Sequence, residues 1–303
     1  MSFSANCKNE ICENKIVDGC CLVSHLYGII SFAKMFSKTS VIVSSENETV
    51  FEHILGVFFE LGIELNSGSI GKNKRESFIS ITDLTTIDRM MNDFGYSGDE
   101  PNFRIKDQNF LCDRCVKSFI SGCFLTGGTI SDPEKGYHLE FSSHKSNLIN
   151  DFMRILTEAG FSPRNSSRNY SKLLYFKDSG QIEDILAYMG ATECSFELMN
   201  AKIYKDILNN VNRATNCESA NIDRALDSSQ KDRALIAYIY KTMGKNWLPE
   251  ELAMTASLRF NNPELSVSDI VELLPEKISK SGVNHRLRKI RAEAQRLKEQ
   301  SNE

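Results

Sequence analysis

The 303-residue sequence predicts an α+β protein, with a duplicated N-terminal domain followed by an all-α domain. Three observations carry this prediction. The first 195 residues repeat weakly, once, at an offset of about 95 residues. Each copy has the periodicity of helix, two strands, helix, two strands, helix. Beyond residue 222 the pattern is almost entirely helical. The length itself predicts two or three domains.

The first half of the repeat covers residues 1–110 and includes a short N-terminal segment. Gly62 and Gly95 follow its second and third helices, where a left-handed C-cap favours glycine. The predicted elements are a helix at 21–33, strands at 32–36 and 40–45, a helix at 49–61, a strand at 78–83 and a helix at 84–94.

The second half covers residues 111–208 and repeats this order. Gly160 and Gly190 match the two capping glycines, and residues 137–141 alternate as a half-buried strand should. The predicted elements are a helix at 115–127, strands at 128–130 and 137–143, a helix at 147–159, a strand at 173–178 and a helix at 180–189.

The leading helices of the two halves each contain a glycine among apolar residues, Gly28 and Gly122. A glycine inside a helix costs about 1 kcal/mol relative to alanine, so a packing reason is expected. We therefore expect these two helices to cross closely, on a pseudo-two-fold axis that relates the halves.

The remaining sequence predicts a linker and a helical domain. Residues 209–222 are rich in asparagine, turn-prone and without clear periodicity, which favours a linker. Residues 223–303 then form the helical domain. Its helices are predicted at 227–243, 249–261, 267–274 and 281–300.

A helix-turn-helix is predicted at about 266–299. Ser266 with Asp269 has capping-box character, Pro275 ends the first helix, and Ser279 or Ser281 could cap the second. Along the second helix one apolar stripe recurs at steps of three and four residues, comprising Val283, Leu287, Ile290, Ala294 and Leu297.

Residues 277–298 carry eight basic side chains and one acidic side chain, a net charge of +7 within a chain of net charge −4. Such a block indicates contact with a polyanion, with double-stranded DNA first among the candidates. Asn284 and Arg288 are predicted to read bases; Lys280, Arg286, Lys289 and Arg291 are predicted to contact phosphates. The full predicted DNA-binding set is Ser279, Lys280, Ser281, Asn284, His285, Arg286, Arg288, Lys289 and Arg291.

Several stretches resemble the WhiA family of bacterial regulators across essentially the whole chain. They include residues 278–290 (ISKSGVNHRLRKI), 122–133 (GCFLTGGTISDP) and 211–221 (VNRATNCESAN). The resemblance implies a LAGLIDADG homing-endonuclease-like domain followed by a helix-turn-helix like region four of sigma factors. It also implies roles in transcription, including sporulation, or in cell division and chromosome segregation as a nucleoid-associated protein.

The resemblance raises the alternative of a metal-dependent, site-specific DNA endonuclease. Homing endonucleases of this fold hold divalent metal with one acid from each central helix, and Ala33 and Gly127 occupy those positions here. Neither residue can bind a metal. Asp132 lies five residues beyond Gly127 and has no counterpart in the first half. We therefore expect a protein without nuclease activity.

Basic residues recur at matching hairpin turns of the two halves and are possible secondary DNA contacts. The domain that carries them is net acidic, so a protein-binding platform is an equal alternative, and other protein regulators are possible partners. The hairpin residues are Lys72, Lys74, Arg75, Arg164, Arg168 and Lys172.

Nine cysteines without regular spacing predict a reduced, cytoplasmic chain, and the resemblance to the WhiA family implies that it is nucleoid-associated. Cys112 and Cys115 form the one Cys-x-x-Cys spacing. Because no second pair follows within the usual distance, we expect coincidence rather than a metal site. No nucleotide-binding motif occurs, and we expect no cofactor, no small-molecule substrate and no membrane association. A protein-binding adaptor remains a second alternative, although it leaves the basic block unexplained.

Overall fold

The computed structural model describes residues 1–66, 69–73, 75–97, 103–168 and 171–300. The chain divides into two compact units, an N-terminal unit (Met1–Asp206) and a C-terminal unit (Ile207–Glu303). Among the described residues, no helix combines the length and the apolar character needed to cross a membrane.

The N-terminal unit confirms the predicted duplication. Each half contains one four-stranded antiparallel sheet, with strand orders β1-β2-β4-β3 and β5-β6-β8-β7. The first half comprises α1 (Phe3–Glu13), α2 (Gly19–Ser31), β1 (Met35–Phe36), β2 (Val41–Ser45), α3 (Glu48–Glu60), β3 (Ile70–Lys72), β4 (Ser77–Ile81) and α4 (Leu84–Asp93). The second half comprises α5 (Asp113–Gly127), β5 (Gly128–Ile130), β6 (Leu139–Ser143), α6 (Ser146–Glu158), β7 (Arg164–Arg168), β8 (Ser171–Phe176) and α7 (Ser179–Met189).

The central helices α2 and α5 cross at their glycines, as predicted. A Cβ atom on Gly28 would overlap the carbonyl oxygen of Phe119 and lie 2.9 Å from the Cys123 nitrogen. A Cβ atom on Gly122 would overlap the carbonyl oxygen of His25. The two backbones are therefore too close for any side chain at these positions, which explains why both helices tolerate glycine.

The two sheets place alternating apolar side chains in one continuous core. Val43 pairs with Ile79 in the first sheet, and Phe141 pairs with Leu174 in the second; all four are buried. This period-two burial on one face is what an antiparallel sheet covered by helices requires.

The C-terminal unit is helical, as predicted. It contains the later part of α8 (Thr192–Met243), followed by α9 (Glu250–Asn261), α10 (Val267–Leu273) and α11 (Lys280–Gln300). Its own core is separate from that of the N-terminal unit. The core members are Ile236, Ile239, Leu248, Leu252, Ala256, Ile270, Leu274, Val283, Leu287, Ile290, Ala294 and Leu297.

The expectation of a turn-prone linker at residues 209–222 is wrong, because those residues lie inside α8. Asparagine lowers helix propensity by well under 1 kcal/mol per residue, whereas glycine and proline are the strong breakers. Neither occurs between Thr192 and Met243. The division between the two units nevertheless falls within this helix, after Asp206.

Candidate nucleic-acid interface

The helix-turn-helix is built from two capped helices. Ser266 and Asp269 form a reciprocal capping box at the start of α10, as the sequence predicts. At the start of α11 the Ser279 hydroxyl accepts a hydrogen bond from the Gly282 backbone N–H at 3.2 Å. Of the two candidate caps, Ser279 is therefore the one used, and Ser281 is exposed one residue inside the helix.

The predicted apolar stripe of α11 is confirmed. Val283, Leu287, Ile290, Ala294 and Leu297 are all buried. The opposite face, which we call the basic face, carries two neighbouring rows of exposed side chains at four-residue spacing. These are Lys280, Asn284 and Arg288 in one row, and Ser281, His285 and Lys289 in the other.

Four cations at this end of α11 keep their charge unpaired: Lys280, Arg288 and Lys289 on the basic face, and Lys277 in the preceding turn. All four are exposed, and within the described part of the chain none has an acidic side chain in ion-pair distance. Unpaired cations beside a hydrogen-bonding row are what phosphate contact and base-edge contact require.

Two of the predicted DNA contacts, Arg286 and Arg291, are paired with acids of the C-terminal unit. Arg286 is buried, and its Nη1 lies 2.6 Å from the Glu276 carboxylate. Arg291 donates from Nε and Nη2 to the Asp232 carboxylate at 2.5 and 2.9 Å. Both guanidinium groups serve the fold of the C-terminal unit. The helical period explains this, because position 286 falls among the buried residues of α11.

These ion pairs shift the pKa values of their members. The hydrogen bond from Arg286 lowers the pKa of Glu276, and the hydrogen bond to Asp232 raises the pKa of Arg291. Nearby, Arg259 is buried and donates to the Leu265 carbonyl at 2.6 Å; burial lowers its pKa. No sequence signal identified Arg259 or Asp232, because composition does not record which polar side chains the fold buries.

The C-terminal ends of the central helices hold no acid. Ala33 lies just beyond α2 and Gly127 is the last residue of α5. A Cβ atom on Gly127 would overlap the ring of Phe32, so this position has no space for a carboxylate. Asp132 instead accepts a hydrogen bond from the Glu134 backbone N–H at 2.9 Å and stabilises the turn after β5.

The hairpin cations lie on the surface of the N-terminal unit. Arg164 and Arg168 are exposed on β7, and Lys172 on β8 donates to Ser167 at 3.0 Å. In the first half, Lys72 is paired with Glu48 at 3.5 Å and Arg75 is exposed; Lys74 lies outside the described residues.

Comparison with known proteins identifies both parts of the chain. The family profile described as the WhiA LAGLIDADG-like domain matches residues 116–208, and that of the WhiA C-terminal HTH domain matches residues 211–294. A "probable cell division protein WhiA" from Ruminiclostridium cellulolyticum is 35% identical, over 98% of each chain. One from Clostridium acetobutylicum is 33% identical, over 99% of each chain.

The chain belongs to the WhiA family.

Solved structures of WhiA proteins share the fold. Full-length DUF199/WhiA from Thermatoga maritima superposes with a TM-score of 0.61 over 98% of this chain and 99% of that chain, at 22% identity. The N-terminal LAGLIDADG domain of DUF199/WhiA gives a TM-score of 0.51 over 62% of this chain and 92% of that one, at 19% identity. The predicted fold, a LAGLIDADG-like domain followed by a helix-turn-helix domain, is thereby confirmed.

In this WhiA-family chain the other ends of the central helices bring four cysteines together, which the sequence analysis missed. Cys20 and Cys21 lie in the first turn of α2; Cys112 precedes α5 and Cys115 lies in its first turn. No second cysteine pair follows Cys112 and Cys115 downstream, as the sequence indicated, but a downstream pair is not needed. The second pair lies 91 to 95 residues upstream rather than downstream, and the pseudo-two-fold axis brings it close.

Two histidines that the sequence left unassigned, the buried His25 and the half-buried His53, form a pair between α2 and α3. The Nε2 atoms of His25 and His53 are 2.9 Å apart, and Nδ1 of His25 lies 3.0 Å from the Ser118 carbonyl. Nδ1 of His25 therefore donates to that carbonyl, and Nε2 accepts from His53. Burial, with the nearby His53 ring, lowers the pKa of His25 to about 3.

Proposed function

We propose that this protein is a bacterial DNA-binding regulator without nuclease activity, acting in cell division and chromosome segregation and/or in transcription regulation. The cell-division role rests on the names of its relatives. The observation that carries DNA binding is the basic face of α11, where exposed cations without acidic partners surround a row of hydrogen-bonding side chains.

The positions on α11 support distinct roles in this binding. Asn284 and Arg288 are one helical turn apart and exposed, as side chains that pair with adenine and guanine in the major groove must be. Lys277, Lys280 and Lys289 supply phosphate contacts, which set affinity and salt dependence. Ser279, Ser281 and His285 stand at the same end of the helix as further polar contacts.

The test reverses charge on the basic face. Arg288→Glu combined with Lys289→Glu should lower duplex-DNA affinity by about 100-fold or more at moderate salt, because two phosphate-attracting cations become repulsive. Lys241→Glu combined with Lys245→Glu makes the same change in net charge elsewhere in the C-terminal unit and is the matched control. Fluorescence anisotropy with a labelled duplex gives both affinities, and far-UV circular dichroism checks the fold.

The alternatives predict other outcomes of the same measurement. If Arg288→Glu with Lys289→Glu leaves DNA affinity unchanged, the basic face does not bind DNA and the protein-binding adaptor is favoured. If both double variants weaken binding equally, only net charge matters, and the assignment of α11 as the recognition helix is wrong.

The ends of α2 and α5 support the proposed absence of nuclease activity. Two-metal cleavage needs carboxylates beside the scissile phosphate. Ala33 and Gly127 offer none, and the group of possible metal ligands found among the described residues consists of cysteines. Supercoiled plasmid incubated with the protein and Mg²⁺ or Mn²⁺ should remain uncut. Metal-dependent nicking that Asp132→Ala abolishes would support the endonuclease alternative instead.

Partners and location are part of the proposal. Double-stranded DNA is the principal partner, and a nucleoid-associated, cytoplasmic location follows from it. Other protein regulators stay a predicted class of partner. The exposed apolar side chains Phe196, Met199 and Ile203 on α8 favour this prediction, because protein partners bury apolar surface of this kind. A fluorescent fusion of the full chain should follow the nucleoid, and the Arg288→Glu, Lys289→Glu variant should spread through the cytoplasm.

A further inference from the structure

The four-cysteine cluster has the dimensions of a metal site. The Sγ–Sγ distances are 3.7 Å for Cys20–Cys112, 3.6 Å for Cys21–Cys112, 4.0 Å for Cys21–Cys115 and 3.5 Å for Cys112–Cys115. All four sulfur atoms lie within 4.8 Å of one another.

These distances match tetrahedral coordination of a single ion. A zinc–thiolate bond is about 2.3 Å long, so four thiolates at the corners of a regular tetrahedron are about 3.8 Å apart. An iron–sulfur cluster with several irons would hold its cysteines further apart. Four soft sulfur ligands and no oxygen ligand favour zinc over magnesium, calcium or manganese.

The helix ends beside the cluster favour thiolates. The cluster lies at the N-terminal ends of α2 and α5, where backbone N–H groups of the first turn point outward and the helix dipole stabilises negative charge. Neither N-cap residue, Asp18 or Cys112, makes a side-chain hydrogen bond to these groups. Arg114 lies beside the cluster and is paired with Asp18 across the two helices at 2.8 Å.

We propose that Cys20, Cys21, Cys112 and Cys115 bind one zinc ion that fastens the N-terminal ends of α2 and α5 to each other. Each half supplies two ligands. Cys21 and Cys115 occupy equivalent positions of the repeat, with the same offset of 94 residues that separates Gly28 from Gly122. Cys112 stands where the first half has Asp18, so the site uses the pseudo-symmetry without being fully symmetric.

This zinc site is distinct from the position of the nuclease acids. Ala33 and Gly127 stand at the C-terminal ends of the same helices, and α2 has 13 residues. At 1.5 Å per residue the two ends are about 20 Å apart. The ion therefore has a structural role, and its presence or absence is independent of whether the protein cleaves or binds DNA.

Metal analysis of the intact protein tests the site directly. The full chain, purified under reducing conditions from cells supplied with zinc, should contain about one zinc per chain, as a closed four-thiolate site binds one ion. Replacement by Co²⁺ should give the intense visible absorption bands of tetrahedral cobalt and the near-ultraviolet thiolate-to-cobalt band. Zinc below about a tenth of an equivalent, together with no tetrahedral cobalt spectrum, overturns the proposal. Iron as the bound ion overturns the assignment to zinc.

Single substitutions test the ligands. Cys21→Ser and Cys112→Ser should each reduce bound zinc to below about a tenth of an equivalent, because a thiolate ligand is lost. Cys217→Ser is the matched control, since Cys217 is exposed on α8 and outside the cluster. If Cys21→Ser and Cys112→Ser fail to fold, Cys20→His tests the site instead. Histidine is also a zinc ligand, so this variant should retain the ion. Full zinc content in Cys21→Ser and Cys112→Ser overturns the ligand assignment.

A chelator tests the structural role. Removing zinc from the wild-type protein should lower the midpoint of thermal unfolding by about 5–10 °C, and added zinc should restore it. The Cys217→Ser variant should respond in the same way. A measurement of DNA affinity distinguishes the zinc site from the proposed DNA binding. The Arg288→Glu, Lys289→Glu variant should lose DNA binding while its zinc content stays unchanged. A midpoint that chelation leaves unaltered overturns the fastening role.

Discussion

Both units of this protein pair some basic side chains with acids and expose others, but the C-terminal unit gathers its exposed cations at one end of α11. In the N-terminal unit several pair with nearby acids, as Lys34 does with Glu76 at 2.8 Å and Arg104 with Asp151 at 2.5 Å. In the C-terminal unit Arg286 and Arg291 are paired, whereas Arg288 and Lys289 are exposed without an acidic partner among the described residues. The sum of charges in a segment therefore says less about binding than which charges the fold has already neutralised.

The largest effect is expected at the helix crossing of the N-terminal unit. Gly28→Ala and Gly122→Ala each place a methyl group against a backbone carbonyl and should lower the free energy of unfolding by about 3 kcal/mol or more. Gly56→Ala is the control, because Gly56 lies inside α3 with open space around it and should gain about 0.5–1 kcal/mol. Urea denaturation followed by circular dichroism measures all three. Equal effects at the three glycines would contradict the close crossing.

A comparable effect in the C-terminal unit distinguishes its paired cations from its free ones. Arg291→Met removes the partner of the buried Asp232 carboxylate and should lower the free energy of unfolding by about 3 kcal/mol. Arg288→Met removes an exposed, unpaired cation and should change stability by less than about 0.5 kcal/mol. It should instead reduce the slope of log affinity for DNA against log salt by about one. If Arg291→Met leaves the stability unchanged and reduces the slope of log affinity against log salt, Arg291 contacts DNA.

Lowering the pH should reduce the free energy of unfolding of the N-terminal unit, because the folded chain keeps His25 neutral. Its pKa is lowered from 6.5 to about 3 in the folded chain, so below pH 6.5 the unfolded chain takes up a proton that the folded chain does not. The free energy of unfolding is fully retained above pH 6.5 and falls as the pH falls towards 3, by about 2 kcal/mol at pH 5. His25→Gln should flatten this acid limb in urea titrations at pH 7.5, 6 and 5. If the free energy of unfolding depends on pH in the same way in His25→Gln, the titration of His25 is not the cause of the acid destabilisation.

The smallest effect is expected for the hairpin cations of the N-terminal unit. We propose Arg164, Arg168, Lys172, Lys72, Lys74 and Arg75 as secondary DNA contacts. Arg164→Glu with Arg168→Glu should then weaken duplex binding by about 3-fold, far less than the reversal at Arg288 and Lys289, because exposed charges outside the main interface are screened. Fluorescence anisotropy at low and moderate salt measures this. If the effect is as large as that of Arg288→Glu with Lys289→Glu, the main DNA interface lies in the N-terminal unit.

Periodicity and spacing predicted most of the fold. The offset of the repeat predicted the two αββαββα halves. The two glycines predicted the crossing of the central helices, and the apolar stripe of α11 predicted the helix-turn-helix. These features depend on residues close in sequence or on a regular offset. The linker prediction was wrong because local propensity is a weak guide where no glycine or proline interrupts a helix.

The candidate sites were predictable only in part. Asn284, Arg288 and Lys289 are exposed on α11 as expected, but Arg286 and Arg291 are held by Glu276 and Asp232. Tertiary packing decides whether a given basic side chain pairs with an acid, and the amino-acid composition contains no information about that packing. The four cysteines were missed for the same reason, because their two pairs are about 90 residues apart and meet only through the pseudo-symmetric fold.

The ring of Phe32 closes the end of α5 to any larger side chain at position 127. It occupies the space that a side chain at position 127 would need, and it packs against Phe141 and Phe152 with centroid separations of 6.3 and 5.0 Å. An aspartate at position 127 would require an exchange at Phe32 and repacking of those neighbours. The packing of three aromatic rings, and not only the identity of one residue, therefore decides which side chains this helix end accepts.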